Sequence, residues 1–126
     1  MHRETLADAQ SSIDAGWIPD FFPSSARDIR ERHDIDSNEI WISFAFDPQD
    51  LSWIDTACEP AASLSGPRRQ PRWWPEALSG NVSKASTLNL YACERFIPIG
   101  GAPKRYAGTL ATEPTTGEAW YWEPVR

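Results

Sequence analysis

The sequence predicts an α+β fold: a mostly antiparallel sheet of about five strands packed with two helices, in the order α-β-β-α-loop-β-β-β. Three observations predict it. Ile40, Ile42, Phe44 and Phe46 recur at every second residue, so they share one face of a strand, with Trp41, Ser43 and Ala45 on the other. Just before them, Asp34-Ile35-Asp36-Ser37-Asn38 is a turn cluster of side chains that hydrogen-bond their own backbone. Residues 26–33 are long enough to pair back, which makes 23–46 a β-hairpin. Further on, Leu88, Leu90 and Ala92 alternate with Asn89, Tyr91 and Cys93, and two more strand-like runs flank Glu113-Pro114-Thr115-Thr116-Gly117. A chain of 126 residues that is 40% apolar forms one domain, 1–126, with a real core. Its seven Trp mean that a few large rings carry much of that core.

In chain order, residues 4–15 read as the first helix. Thr5 caps it, Leu6, Ala9 and Ile13 give a thin apolar stripe, and Gly16 stops it. Pro19 and Pro23 keep the residues before them out of helix, so 17–23 is an extended aromatic segment laid over the core. After the hairpin, Asp47 is an N-cap with Pro48 in the first helical position. Leu51, Ile54 and Cys58 mark one face of a second helix that runs to about residue 58 or 59, before Pro60. Residues 60–85 are irregular and rich in Pro, Arg and Trp, with one short helical turn at Pro75-Glu76-Ala77-Leu78. From Ser86 the pattern turns to strand. A loop through Pro98, Gly100, Gly101 and Pro103 precedes the final hairpin, where Trp120 and Trp122 share a face.

The net charge is −6, unevenly spread: residues 1–66 balance 13 acidic against 4 Arg, and residues 67–126 balance 5 acidic against 8 basic. An acidic chain does not suit duplex nucleic acid, whose binding rests on neutralised phosphates. It suits a soluble protein or one that docks on a basic partner. No apolar run reaches the length of a membrane span and no signal-peptide core is present, so the expected location is cytoplasmic, with the periplasm or envelope as the alternative if a leader is removed. Cys58 and Cys93 make no metal or redox motif. Buried free thiols are the leading reading, and a single bridge in an oxidising compartment is the alternative.

The motifs exclude more chemistry than they support. Asp34-x-Asp36-x-Asn38 starts like a calcium loop, but Glu39 stands where a Gly is needed and Ala45 where the bidentate Glu belongs. No zinc spacing, nucleophile elbow or phosphate loop occurs. No metal or cofactor is expected. His33 beside Asp34 offers half of an acid–base pair, with an ordinary surface or cross-strand histidine as the leading reading. The distinctive surface is Arg68, Arg69 and Arg72 beside Trp73 and Trp74 on a Pro-stiffened loop. The other reading of that loop is internal: one Trp plugs the core, and the Arg side chains pair with the acidic half of the chain.

Gly16-Trp17 with Pro19, Pro23 with Ser25-Ala26 and Ile29, and the turn Asp34 to Glu39 with Trp41, Phe44 and Phe46 form a recognisable series. Tyr91-x-Cys93 and Tyr121-Trp122 extend it. This pattern resembles a family of small bacterial proteins, many of them membrane-anchored, for which no activity is established. The resemblance implies fold and bacterial origin only.

The expected function is a non-enzymatic bacterial binding protein, most specifically a small acidic inhibitor of the immunity type that docks on a basic toxin or enzyme. The candidate binding residues are Arg68, Arg69, Arg72, Trp73, Trp74, Asp34, Asp36 and Glu39. The alternatives are a cell-envelope domain with a structural or ligand-binding role, and a small hydrolase or transferase using His33.

Overall fold

A computed structural model describes residues 1–83, 88–99 and 102–124. Its centre is a seven-stranded antiparallel sheet. The strands are β1 (His2–Thr5), β2 (Arg27–His33), β3 (Ile40–Ala45), β4 (Cys58–Pro60), β7 (Asn89–Ile99), β8 (Ala102–Glu113) and β9 (Glu118–Glu123). They lie in the order β1-β2-β3-β9-β8-β7-β4, so a strand near the start of the chain pairs with the last one. Two short strands, β5 (Ser63–Ser65) and β6 (Asn81–Ser83), pair separately. The helices are brief: α1 (Gln10–Asp14), continued from a 3-10 turn at Ala7–Ala9, and α2 (Ser52–Asp55).

Alternation on β3 sends its side chains to two faces, and both are covered. Ile40, Ile42, Phe44 and Phe46 pack on the first face with Ala119, Tyr121 and Leu110, under Ala9, Ile18, Phe22 and Trp53. Trp41 packs on the second with Trp122, Ala111 and Leu90, under Trp74, Leu78 and Val82. An aromatic ring buried this way takes about 150–250 Å² out of water, roughly 4–6 kcal/mol of transfer free energy. Large rings therefore do substitute for leucines in this core. One close fit depends on a missing side chain: a Cβ on Gly108 would meet the Tyr121 hydroxyl at 2.1 Å.

The hairpin forms as expected, with Arg27 opposite Ala45 and His33 opposite Ile40. The closing turn before β9 and the helical turn at Glu76–Leu78 also form. The main sheet exceeds the expected five strands because two short or exposed elements, β1 and β4, gave no periodic signal. β1 is one: every side chain on it is exposed. It takes over the start of the expected first helix, which survives only from residue 7, where the Asp8 N–H donates to Thr5 Oγ1 at 3.2 Å. Gly16, at φ 84°, ends that helix.

The second helix is a single turn, not a run to residue 58. Asp47 Oδ1 accepts the Gln49 N–H at 3.0 Å, a side-chain turn rather than a helix start. The Trp53 indole donates back to the Asp50 carbonyl at 2.7 Å, and its ring packs edge-on against Phe46, with centroids 5.4 Å apart. Turning Trp53 inward ends the helix early and frees Cys58 to begin β4.

That corrects the reading of the cysteines. Cys58 sits directly opposite Cys93 in the β4–β7 register, Cα to Cα 4.0 Å, and the two form a disulfide rather than free thiols. The strand start expected at Ser86 and the Gly100–Gly101 pair lie outside the described residues. The flanking strands run to Ile99 and resume at Ala102, so the expected loop through Pro98 and Pro103 is largely strand.

Candidate functional site

The acidic turn and the arginine loop, taken from the sequence as two halves of a recognition surface, meet each other. Asp34 Oδ1 accepts the N–H groups of Asp36 at 2.9 Å and Ser37 at 3.2 Å. Its other oxygen accepts from Arg69 at 2.6 Å. Arg69 Nε donates to Glu39 Oε1 at 2.8 Å, and Glu39 is almost wholly buried. The Trp41 indole closes the join by donating to the Arg69 carbonyl at 2.9 Å. The two backbone N–H groups of Ser37 and Asp36, and then Arg69, hold the Asp34 carboxyl below its ordinary value. Hydrogen bonding to Glu39 raises Arg69 above its own. Arg68 stands 3.9 Å from Glu39. Asp36 and Arg72 stay exposed and outside the clamp. Trp74 is buried edge-on to Trp122, centroids 5.5 Å apart, while Trp73 is half-buried beside a groove on the sheet.

His33 is also engaged. Its ring stacks on Trp17 at 3.8 Å, nearly parallel, and Nδ1 pairs with the buried Glu31 at 2.5 Å. A carboxylate that orients a histidine is one part of an acid–base arrangement.

A different surface gathers exposed groups. β7 has 11 residues, but β4 pairs only with Tyr91–Cys93, and the Glu94 N–H goes to the Ala57 carbonyl at 2.9 Å. Beyond Glu94 no described strand pairs with β7 on that side. Because Glu94 points its N–H outward, alternation sends the N–H and C=O of Phe96 outward as well. Phe96 is 57% exposed, the most exposed aromatic ring among the described residues. A hollow of about 600 Å³ on one side of it is lined by Asp55, Glu59, Glu94 and the disulfide. A second, of about 350 Å³, is lined by Asp14, Asp20, Phe96 and Ile97. Arg105 lies 5.6 Å over the Phe96 ring and 3.5 Å from Glu94.

Two ties keep this edge in place. The disulfide pins β4 where the free edge begins. On the first face, Arg95 Nε and Nη2 donate to Glu123 at 2.5 and 2.9 Å, and Nη1 donates to the Gly16 carbonyl at 2.7 Å. The Tyr121 hydroxyl donates to the same Glu123 at 2.6 Å. This buried network links the segment carrying Asp14 and Asp20 to the strand carrying Phe96.

The sequence reading missed the edge because it follows from unequal strand lengths. The available signal was Arg95, in phase with Tyr91 and Cys93 on an inward face, which leaves Glu94 and Phe96 facing the other way.

Residues 2–45, about a third of the chain, match the family model of the YbbD head domain; the stretch runs from β1 through β3. This supports the resemblance to small bacterial proteins. No significant match was found among curated proteins or solved structures.

Proposed function

We propose that the chain is a non-enzymatic binding protein that docks on a basic protein partner through the free edge of β7, in the manner of a small inhibitor or immunity protein. The observation that carries this reading is the exposed Phe96 on a strand edge that no other described strand pairs, with Asp14, Asp20, Asp55, Glu59 and Glu94 lining the hollows beside it. An exposed aromatic among mostly acidic side chains, with Arg105 beside it, is an interface anchor with electrostatic steering around it. The open backbone groups of Phe96 offer strand addition. The clamp supports the choice of this edge, since it ties Arg69 and part of the acidic turn to each other inside the molecule.

The test is calorimetric titration against candidate basic proteins, starting with any encoded next to this gene. Binding that weakens with added salt and is lost in Phe96→Asp supports the reading. Binding unaffected by Phe96→Asp and by the triple change Asp55→Lys, Glu59→Lys, Glu94→Lys rejects this edge as the docking surface.

The disulfide favours a second reading, a domain of the cell envelope, because such bonds persist in oxidising compartments. Alkylation of thiols in intact cells at the moment of lysis decides it. Unlabelled Cys58 and Cys93 support an oxidising location, and full labelling excludes it.

A further inference from the structure

The second face of the sheet is covered only in part. Trp74, Leu78 and Val82 lie over Trp41, Trp122, Ala111 and Leu90. Beside that cover a groove of about 470 Å³ crosses β2, β3 and β9. The strand register builds its floor. Arg30, Ser43 and Trp120 stand side by side in one row, and Ala45 and Glu118 in the next. Ser43 and Ala45 are too small to fill the space between Arg30 and Trp120, so a trough remains. Trp73 and Pro75, from the crossing loop, line it as well.

A distortion of β2 adds a further group. Arg27 pairs with Ala45 and Arg30 with Ser43, so Asp28 and Ile29 together oppose the single residue Phe44. Ile29 fills the first-face core, and Asp28, at φ 51°, lines the groove. A non-glycine residue in that backbone region is uncommon, and such bulges re-aim side chains at binding sites. His2 Nε2 lies 2.5 Å from the Asp28 carboxylate and holds its pKa below the ordinary value.

We propose that this groove is a binding site for a neutral saccharide. A sugar ring has flat C–H faces and a rim of hydroxyls. Trp73 and Trp120 are each half-buried, which leaves indole surface for the C–H faces. Asp28 and Glu118 accept hydrogen bonds from hydroxyls, Arg30 donates, and Ser43 and Thr116 do both. Aromatic walls with a few placed polar groups, at this volume, match a small-molecule site. Two carboxylates against one guanidinium disfavour phosphates and acidic sugars, and the polar lining disfavours a lipid chain. The site is separate from the protein-docking edge: β8 lies between β9 and β7.

The test is a titration of the full chain with glucose- and N-acetylglucosamine-based di- and trisaccharides, followed through the indole N–H resonances. Saturable shifts led by Trp73 and Trp120 are expected. Trp120→Ala weakens binding about tenfold or more, as loss of an aromatic anchor does. Glu118→Gln, an exposed change that leaves the fold intact, weakens it by roughly threefold, one neutral hydrogen bond's worth. Phe96→Asp leaves it unchanged, so the two sites fail or stand independently. No saturable response up to about 50 mM, where even a millimolar site is filled, overturns the proposal. So do shifts centred on β7, or saturation by glucuronate or phosphate in place of the neutral sugars.

Discussion

Two arginines reach across the fold to buried glutamates, and they do different work. Arg95 and Glu123 are both nearly sealed from water, with side chains 4% and 0% exposed. Arg69 is half in solvent, and only its partner Glu39 is buried. The first pair fastens the N-terminal segment to β7 from inside the core. The second closes the arginine loop onto the acidic turn from outside. The difference teaches that charge balance along a sequence does not rank its ion pairs. Burial does, because it sets what is left uncompensated when one partner goes.

The comparison breaks most sharply at Arg95. Arg95→Met takes both guanidinium donors away from the buried Glu123, and is expected to cost about 3–5 kcal/mol in chemical denaturation. An unchanged midpoint would show that the pair is not needed for stability. Cleaving the disulfide comes next. Cys58 and Cys93 are 35 residues apart, and loop closure at that length is worth about 3–4 kcal/mol. Reductant should lower the melting temperature, whereas the double change Cys58→Ala, Cys93→Ala should melt identically with or without it.

Arg69→Met is smaller, because the guanidinium is half in solvent and water screens the pairing. It carries a pH signature as well. The folded pKa of Asp34 is depressed, so the unfolded chain takes up a proton there first as pH falls. The stability this group contributes is therefore present above its unfolded pKa of about 4 and lost as pH drops below that through the folded value. Arg69→Met should flatten that acid limb in part, since the Ser37 and Asp36 N–H groups still hold Asp34; Asp34→Ala, which removes the group, should flatten it further. The smallest effect is at Phe96. Phe96→Ser should change stability by no more than about 0.5 kcal/mol, as exposed positions do, since most of the ring is in solvent.

Much of the fold was legible because alternation is a strong signal wherever one face differs from the other. The Ile and Phe residues of β3 declared a buried face, and Trp120 and Trp122 declared another. Short elements escaped because three or four residues carry no period: β1 is wholly exposed, and β4 through β6 have three residues each. The cysteine pairing was hidden behind the apparent helix. Its i, i+3, i+7 spacing at Leu51, Ile54 and Cys58 was real, but the inward turn of Trp53 overrode it and left Leu51 exposed. Of the candidate site, the internal pairing of the arginine loop with the acidic turn was readable from the split of charge between the two halves of the chain. The open edge was not readable, because it depends on which strand stops first beside β7.

The most direct test of the proposed docking edge is hydrogen exchange of the full chain, alone and with whichever basic protein binds it in the titration. Slowed exchange over residues 94–99 and 55–60, with residues 34–39 and 68–72 unchanged, is the predicted result. Protection confined to the acidic turn and the arginine loop, with none along β7, would contradict it.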